Sequence, residues 1–152
     1  MISTTSKVAI STLEFSSSAP FYVIMEVYFF RGMNMKETVY FGTYTRRVSQ
    51  GIYKAEFDTE TGQLANLELF AAEPNPTYLA FDQYQHLYTV GSHDGKGGVA
   101  AYKIDGSLLN HVVEEGAPHC YVAVDEKRGL VYGANYHKGQ VLVYKRKEDG
   151  SL

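Results

Sequence analysis

Leu130-Val131-Tyr132-Gly133-Ala134-Asn135-Tyr136-His137-Lys138-Gly139-Gln140-Val141-Leu142-Val143-Tyr144-Lys145 decides the fold. A strand-like run enters a polar stretch, turns at a glycine, and returns as an alternating run rich in β-branched residues. That pattern is a β-hairpin. The same hairpin occurs twice upstream. Val39-Tyr40-Phe41-Gly42-Thr43-Tyr44 leads into Gly51–Asp58, and Leu87-Tyr88-Thr89-Val90-Gly91-Ser92-His93 leads into Gly98–Asp105. Tyr40, Tyr88 and Tyr132 therefore recur at intervals of 48 and 44 residues.

Each hairpin is followed by a turn, at Thr61-Gly62-Gln63-Leu64, Asp105-Gly106-Ser107-Leu108 and Asp149-Gly150-Ser151-Leu152. Two further runs, Pro76–Asp82 and Pro118–Asp125, precede the second and third hairpins. The unit is four short strands. Its predicted inner strands are 77–82 and 119–124, and its second strands 38–44, 86–92 and 130–136. Its third strands are 51–57, 98–104 and 140–146, and its outer strands 64–70 and 108–113. No sustained helical period interrupts them. Evenly spaced strands also suit a β-sandwich, but whole four-strand units that repeat specify a β-propeller of antiparallel blades. Met35 to Leu152 holds about two and a half units, whereas propellers close with roughly four to eight blades. The expected object is all-β: an incomplete, N-terminal fragment of a propeller with open sheet edges. The remaining blades are expected in a longer protein. As it stands the chain is expected to self-associate and to lack useful turnover.

Residues 1–34 read differently. Ser and Thr dominate the first twenty or so positions, and Phe21–Phe30 is apolar around Glu26. Met35 opens a plausible native start, so 1–34 is expected to be translated upstream sequence or a disordered extension, with one added strand possible at 21–30. The partial propeller is 35–152. With 45% hydrophobic and 20% charged residues, the chain is globular rather than disordered. A net charge of −3 lacks the basic stripe that nucleic acid requires. The one cysteine, Cys120, excludes an internal disulfide and a cysteine zinc cluster, and one thiol fits a reducing cytoplasm. Phe21–Phe30 is far short of the roughly 20 apolar residues of a spanning helix, and its flanks do not suit a secretory signal. The reading is a cytoplasmic protein with no membrane partner and no cofactor.

In a blade, the loop entering the inner strand and the loop leaving the second strand share one end. Thr43–Arg47, Asn75–Tyr78 with Ser92–Asp94, and Pro118–Cys120 with Asn135–Lys138 should therefore converge on one face of the ring. These sets are polar and poor in aliphatics, which marks a polar site. His86 and His111 read as surface or packing residues, and Lys145-Arg146-Lys147 as a solvated outer run.

Pro118-His119, Val124-Asp125 and Gly129–Val141, with the run Ala134-Asn135-Tyr136-His137-Lys138-Gly139, resemble the lactonase family of seven-bladed propellers. Tyr40–Thr45 and Asn75–Ala80 look like the same family. Propeller-type 6-phosphogluconolactonases and the related carboxy-cis,cis-muconate cyclases belong there. The resemblance covers 35–152 and implies hydrolysis of a small sugar lactone, 6-phosphogluconolactone to 6-phosphogluconate in the pentose phosphate pathway, with further site residues in blades not present.

On that resemblance His119 is the candidate general base, its neutral imidazole taking a proton from attacking water; the alternative is a histidine that pins its loop. Asn135 and His137 are candidates to stabilise the oxyanion, and turn chemistry is the alternative for Asn135. Tyr136 and His93 are candidate substrate contacts. Arg46 and Arg47 suit an anionic sugar phosphate, or are two solvated loop charges. A zinc site at His93, His119 and His137 has no supporting ligand spacing, and no metal is expected. The competing functions are a non-catalytic propeller that binds a partner on its polar face and muconate-cyclase-like lactone chemistry.

Overall fold

The computed structural model describes residues 36–152 together with the backbone of Val23–Ile24. The expectation for 1–34 otherwise lies outside the described residues. The chain forms three antiparallel sheets. The first contains β1 (Val23–Ile24), β2 (Lys36–Thr43), β3 (Gly51–Asp58) and β4 (Leu64–Ala72). The second contains β5 (Leu79–Phe81), β6 (Leu87–His93), β7 (Lys96–Tyr102) and β8 (Leu108–Glu114), and the third β9 (Tyr121–Asp125), β10 (Leu130–Asn135) and β11 (Gln140–Lys145). Within each sheet the strands lie side by side in chain order, as the repeat predicts. The described residues contain no helix, so none is long and apolar enough to cross a membrane.

The expected strands are present, with shifts at their ends. β5 shrinks to three residues and β9 starts at Tyr121 rather than 119, because the entering loops hold Pro76 and Pro118. β7 begins two residues early, since His93 and Lys96 pair around the Asp94-Gly95 turn. Asp94 and Gly95 both have positive φ, as a two-residue hairpin of this kind requires. At the inner edge of the first sheet β1 pairs with β2, Val23 opposite Thr43 and Ile24 opposite Gly42.

Strand alternation gives each sheet two apolar faces, and the faces close on one another. Tyr40, Ile52, Phe70 and Ala71 of the first sheet pack on Leu79, Leu87, Ala100 and Tyr102 of the second. Ala80, Tyr88, Val90, Val99 and Ala101, on the far face of the second, pack on Val122 and Val131 of the third. The third sheet's outer face leaves Tyr121, Val141 and Val143 exposed. The repeat is geometric as well as sequential. The Asp-Gly-Ser-Leu turns at 105–108 and 149–152 make the same backbone bonds, Lys103 N to Ser107 O and Lys147 N to Ser151 O, each 2.8 Å. Each turn touches the preceding blade through its glycine. A Cβ on Gly106 would lie 2.3 Å from Phe70 O, and one on Gly150 would lie 2.4 Å from the His86 ring.

Arg146 corrects the reading of 145–147 as a solvated run. Its guanidinium is largely buried, 2.8 Å from Asp82 Oδ2 and 3.0 Å from Glu126 Oε2. Asp82 is 4% exposed and also accepts from the Tyr84 and His86 backbone N–H groups and from His86 Nδ1. This ion pair spans the junction of the second and third blades. Breaking one side of a buried pair leaves an uncompensated charge, here softened by the other donors to Asp82. Arg146→Ala is expected to cost about 2–4 kcal/mol, read as a lowered urea midpoint. A midpoint matching the wild type would show that the junction does not depend on the pair.

Candidate functional site

The loops leaving the second strands and the connectors between blades are hydrogen-bonded to one another, which places them on one face. Thr45 N–H donates to Asn75 Oδ1 at 3.1 Å, and Asn75 N–H donates back to Thr45 Oγ1 at 3.2 Å. Ser92 N–H donates to Glu73 Oε1 at 3.0 Å. Asn135 Nδ2 donates to Ala117 O at 2.8 Å, and the Lys138 ammonium reaches Glu114 Oε1 at 3.0 Å and the Glu115 carbonyl.

On this face the predicted residues divide into two groups. Asn135 and His119 are buried. Asn135 is 1% exposed, and its Oδ1 accepts from Lys138 N–H at 3.2 Å, so both ends of its amide hold the loop. These bonds are those of the turn chemistry expected as the alternative for Asn135. His119 is 2% exposed. Its ring lies over Gly133, where a Cβ would come within 1.9 Å of Cδ2, and its Nε2 is 2.6 Å from the Tyr144 hydroxyl. The ring thus crosses the blade toward β11. The start of β9 at Tyr121 leaves His119 in the connector, free to take this orientation. Its Nδ1 is buried without a partner among the described residues. Burial pushes the imidazole below its ordinary pKa and raises that of Tyr144 to about 12, so the two meet as neutral groups.

The second group is exposed. Tyr136, 73% exposed, carries the His137 ring against it at 3.9 Å between centroids. His93 stacks on His111 at 4.7 Å, with the planes 15° apart. Arg46 lies over the Tyr44 ring at 5.6 Å, and Arg47 is exposed beside it. His93, His119 and His137 each have a different aromatic partner, and no group of metal-ligating side chains forms among the described residues.

Sequence reasoning missed Glu73. Its carboxylate is 2% exposed and accepts from Ser92 N–H, the Tyr102 hydroxyl and His111 Nε2, the last at 2.8 Å. Gly91 makes room for it, since a Cβ there would meet Oε1 at 2.2 Å. The available signals were a lone acid closing an apolar strand and a glycine inside its neighbour.

The sequence model described as lactonase, 7-bladed beta-propeller, matches residues 38–152. The chain belongs to this lactonase family. It is 47% identical over 119 residues to the 6-phosphogluconolactonase of Bacillus subtilis, covering 74% of this chain and 34% of that protein. It is 50% identical over 121 residues to the uncharacterized protein YwcC of Lactococcus lactis, covering 78% of this chain and 36% of that one. A crystal structure of a Lactobacillus plantarum protein superposes with a TM-score of 0.75 at 52% identity, covering 78% of this chain and 36% of that chain. The chain thus spans about a third of the length of the curated relatives it matches.

A buried neutral histidine gives a pH signature. The unfolded state takes up a proton near pH 6.5, and the folded state only at lower pH. Stability is therefore complete above pH 6.5 and falls as the pH drops from there toward the folded value. His119→Gln should flatten this acid limb in denaturation curves between pH 7 and 5. An unchanged slope would mean that His119 is not a buried neutral group.

Proposed function

We propose that the chain supplies the first blades of a cytoplasmic lactone hydrolase that converts 6-phosphogluconolactone to 6-phosphogluconate in the pentose phosphate pathway. The observation that carries this reading is the 47% identity to the Bacillus subtilis 6-phosphogluconolactonase. The polar loop face supports it. Water attacks the lactone carbonyl, a C–O bond forms, the ring C–O bond breaks, and the proton lost by water ends on the released hydroxyl. His137, exposed on the loop beside the buried Asn135, is the imidazole that takes the proton from that water. His119 and Asn135 act behind it as positioning residues, holding the connector at 115–120 and the loop at 136–139. Tyr136 and His93 offer ring faces to the sugar. Arg46 and Arg47 bind the phosphate, where charge-assisted bonds are worth about 1.5–3 kcal/mol each. The remaining blades complete the site.

The test uses the protein carrying those blades. It should open 6-phosphogluconolactone well above the spontaneous rate; a rate equal to background would end the reading. His137→Ala should lower kcat by about 100-fold if it is the base. Replacing Arg46 and Arg47 together by Ala should raise KM for the phosphorylated lactone by about tenfold or more while sparing the unphosphorylated one. Equal effects on both substrates would mean these charges do not read phosphate.

A further inference from the structure

Asn75 and Asn135 both stand on the loop face, and they are used differently. Both ends of the buried Asn135 amide are taken by backbone. At Asn75 only one end is held. A backbone N–H can only donate, so the end facing Thr45 N at 3.1 Å is the carbonyl oxygen Oδ1. The reciprocal bond from Asn75 N–H to Thr45 Oγ1 and the bond from Thr77 N–H to Asn75 O at 2.8 Å fix the backbone on both sides. Asn75 is held at φ 49°, in the left-handed region that asparagine and aspartate enter more readily than other non-glycine residues.

With its oxygen end clamped, the amide keeps Nδ2 and its two hydrogens without a partner among the described residues, and Nδ2 is not among the buried unpartnered atoms. We propose that Asn75 Nδ2 is a prepositioned hydrogen-bond donor to the carbonyl oxygen of the sugar lactone, an assignment that rests on the lactone-hydrolase reading above. The clamp keeps the donor from turning away, so binding loses little side-chain entropy. Thr45, which holds it, directly precedes Arg46 and Arg47. One blade junction therefore reads both the sugar ring and its anionic group.

Asn75→Asp isolates the donor. It keeps an oxygen for Thr45 N–H and tolerates the left-handed backbone, but replaces the NH₂ with an acceptor. The probe is D-glucono-δ-lactam, a neutral ring amide that resists hydrolysis. Binding to the protein carrying the remaining blades is followed by saturation-transfer NMR on the ligand. Saturable binding by the wild type and a loss of about tenfold in Asn75→Asp are expected. Asn75→Gly suits the same backbone and should show the same loss if Asn75→Asp does not fold. Wild-type affinity in either folded variant would overturn the proposal and leave the lactone reading standing. So would a wild type that binds 6-phosphogluconate but not the lactam. A wild type that binds neither would overturn both.

Discussion

Every sheet in this chain has an apolar face that it cannot bury by itself, and the molecule is organised by how those faces meet. Leu79, Leu87, Ala100 and Tyr102 close on Tyr40, Ile52, Phe70 and Ala71, while Val122 and Val131 close on the far side of the second sheet. Burial is favourable in proportion to area, so the stacking direction is set by which faces are apolar, and here both are. A stack with two apolar ends grows until it closes on itself, the solution that a ring of blades provides. The close approach also fixes local sequence. Gly106 and Gly150 sit where any side chain would strike the preceding blade, so the Asp-Gly-Ser-Leu turn serves the stack as much as the hairpin.

Packing alone leaves the angle between neighbouring blades loosely specified, and buried polar groups set it. Glu73 follows the last strand of the first blade, and among the described residues its carboxylate bonds to groups of the second. Asp82 and Arg146 tie the second blade to the third, and the Tyr88 hydroxyl crosses the same junction to Gly150 O at 2.9 Å. A buried charge is tolerable only with its partners in place, so a blade rotated or shifted from its seat leaves acids unpaired. These contacts make a wrong junction costly, which is a different service from making the right one stable.

The fold was readable because its signals are local. Hairpins join neighbours in sequence, their glycines mark the turns, and the Tyr40, Tyr88 and Tyr132 spacing gives the period. The polar junctions were not readable, because Asp82 and Arg146 are 64 residues apart and each looks like an ordinary surface charge within its own strand. The site was readable in part. Loop convergence follows from strand order, and the loops do bond to the connectors as that order requires. The orientation of His119 does not follow from it. Pro118 delays the start of β9 to Tyr121, and His119, left in the connector, turns its ring across the blade to Tyr144.

The repeated tyrosine also shows where chemistry can reside. Three residues after it, at Thr43, Gly91 and Asn135, the second strand meets the connector, and each blade fills that point with buried polar bonding. Thr43 Oγ1 donates to Gly51 O at 2.6 Å, Gly91 admits the Glu73 carboxylate, and Asn135 takes Ala117 O. Side chains there are committed to holding loops. Five residues after the tyrosine, at Thr45, His93 and His137, the chain has turned onto the loop face. Thr45 grips Asn75, and the two histidines are exposed. The first position is buried in the stack, and the second lies past the strand end or at it, exposed at His93 and His137. Substitutions at the inner position disturb the scaffold. The outer position and the connector residues it holds can change without disturbing the stack, and that is where one propeller can acquire the side chains that distinguish one ligand from another.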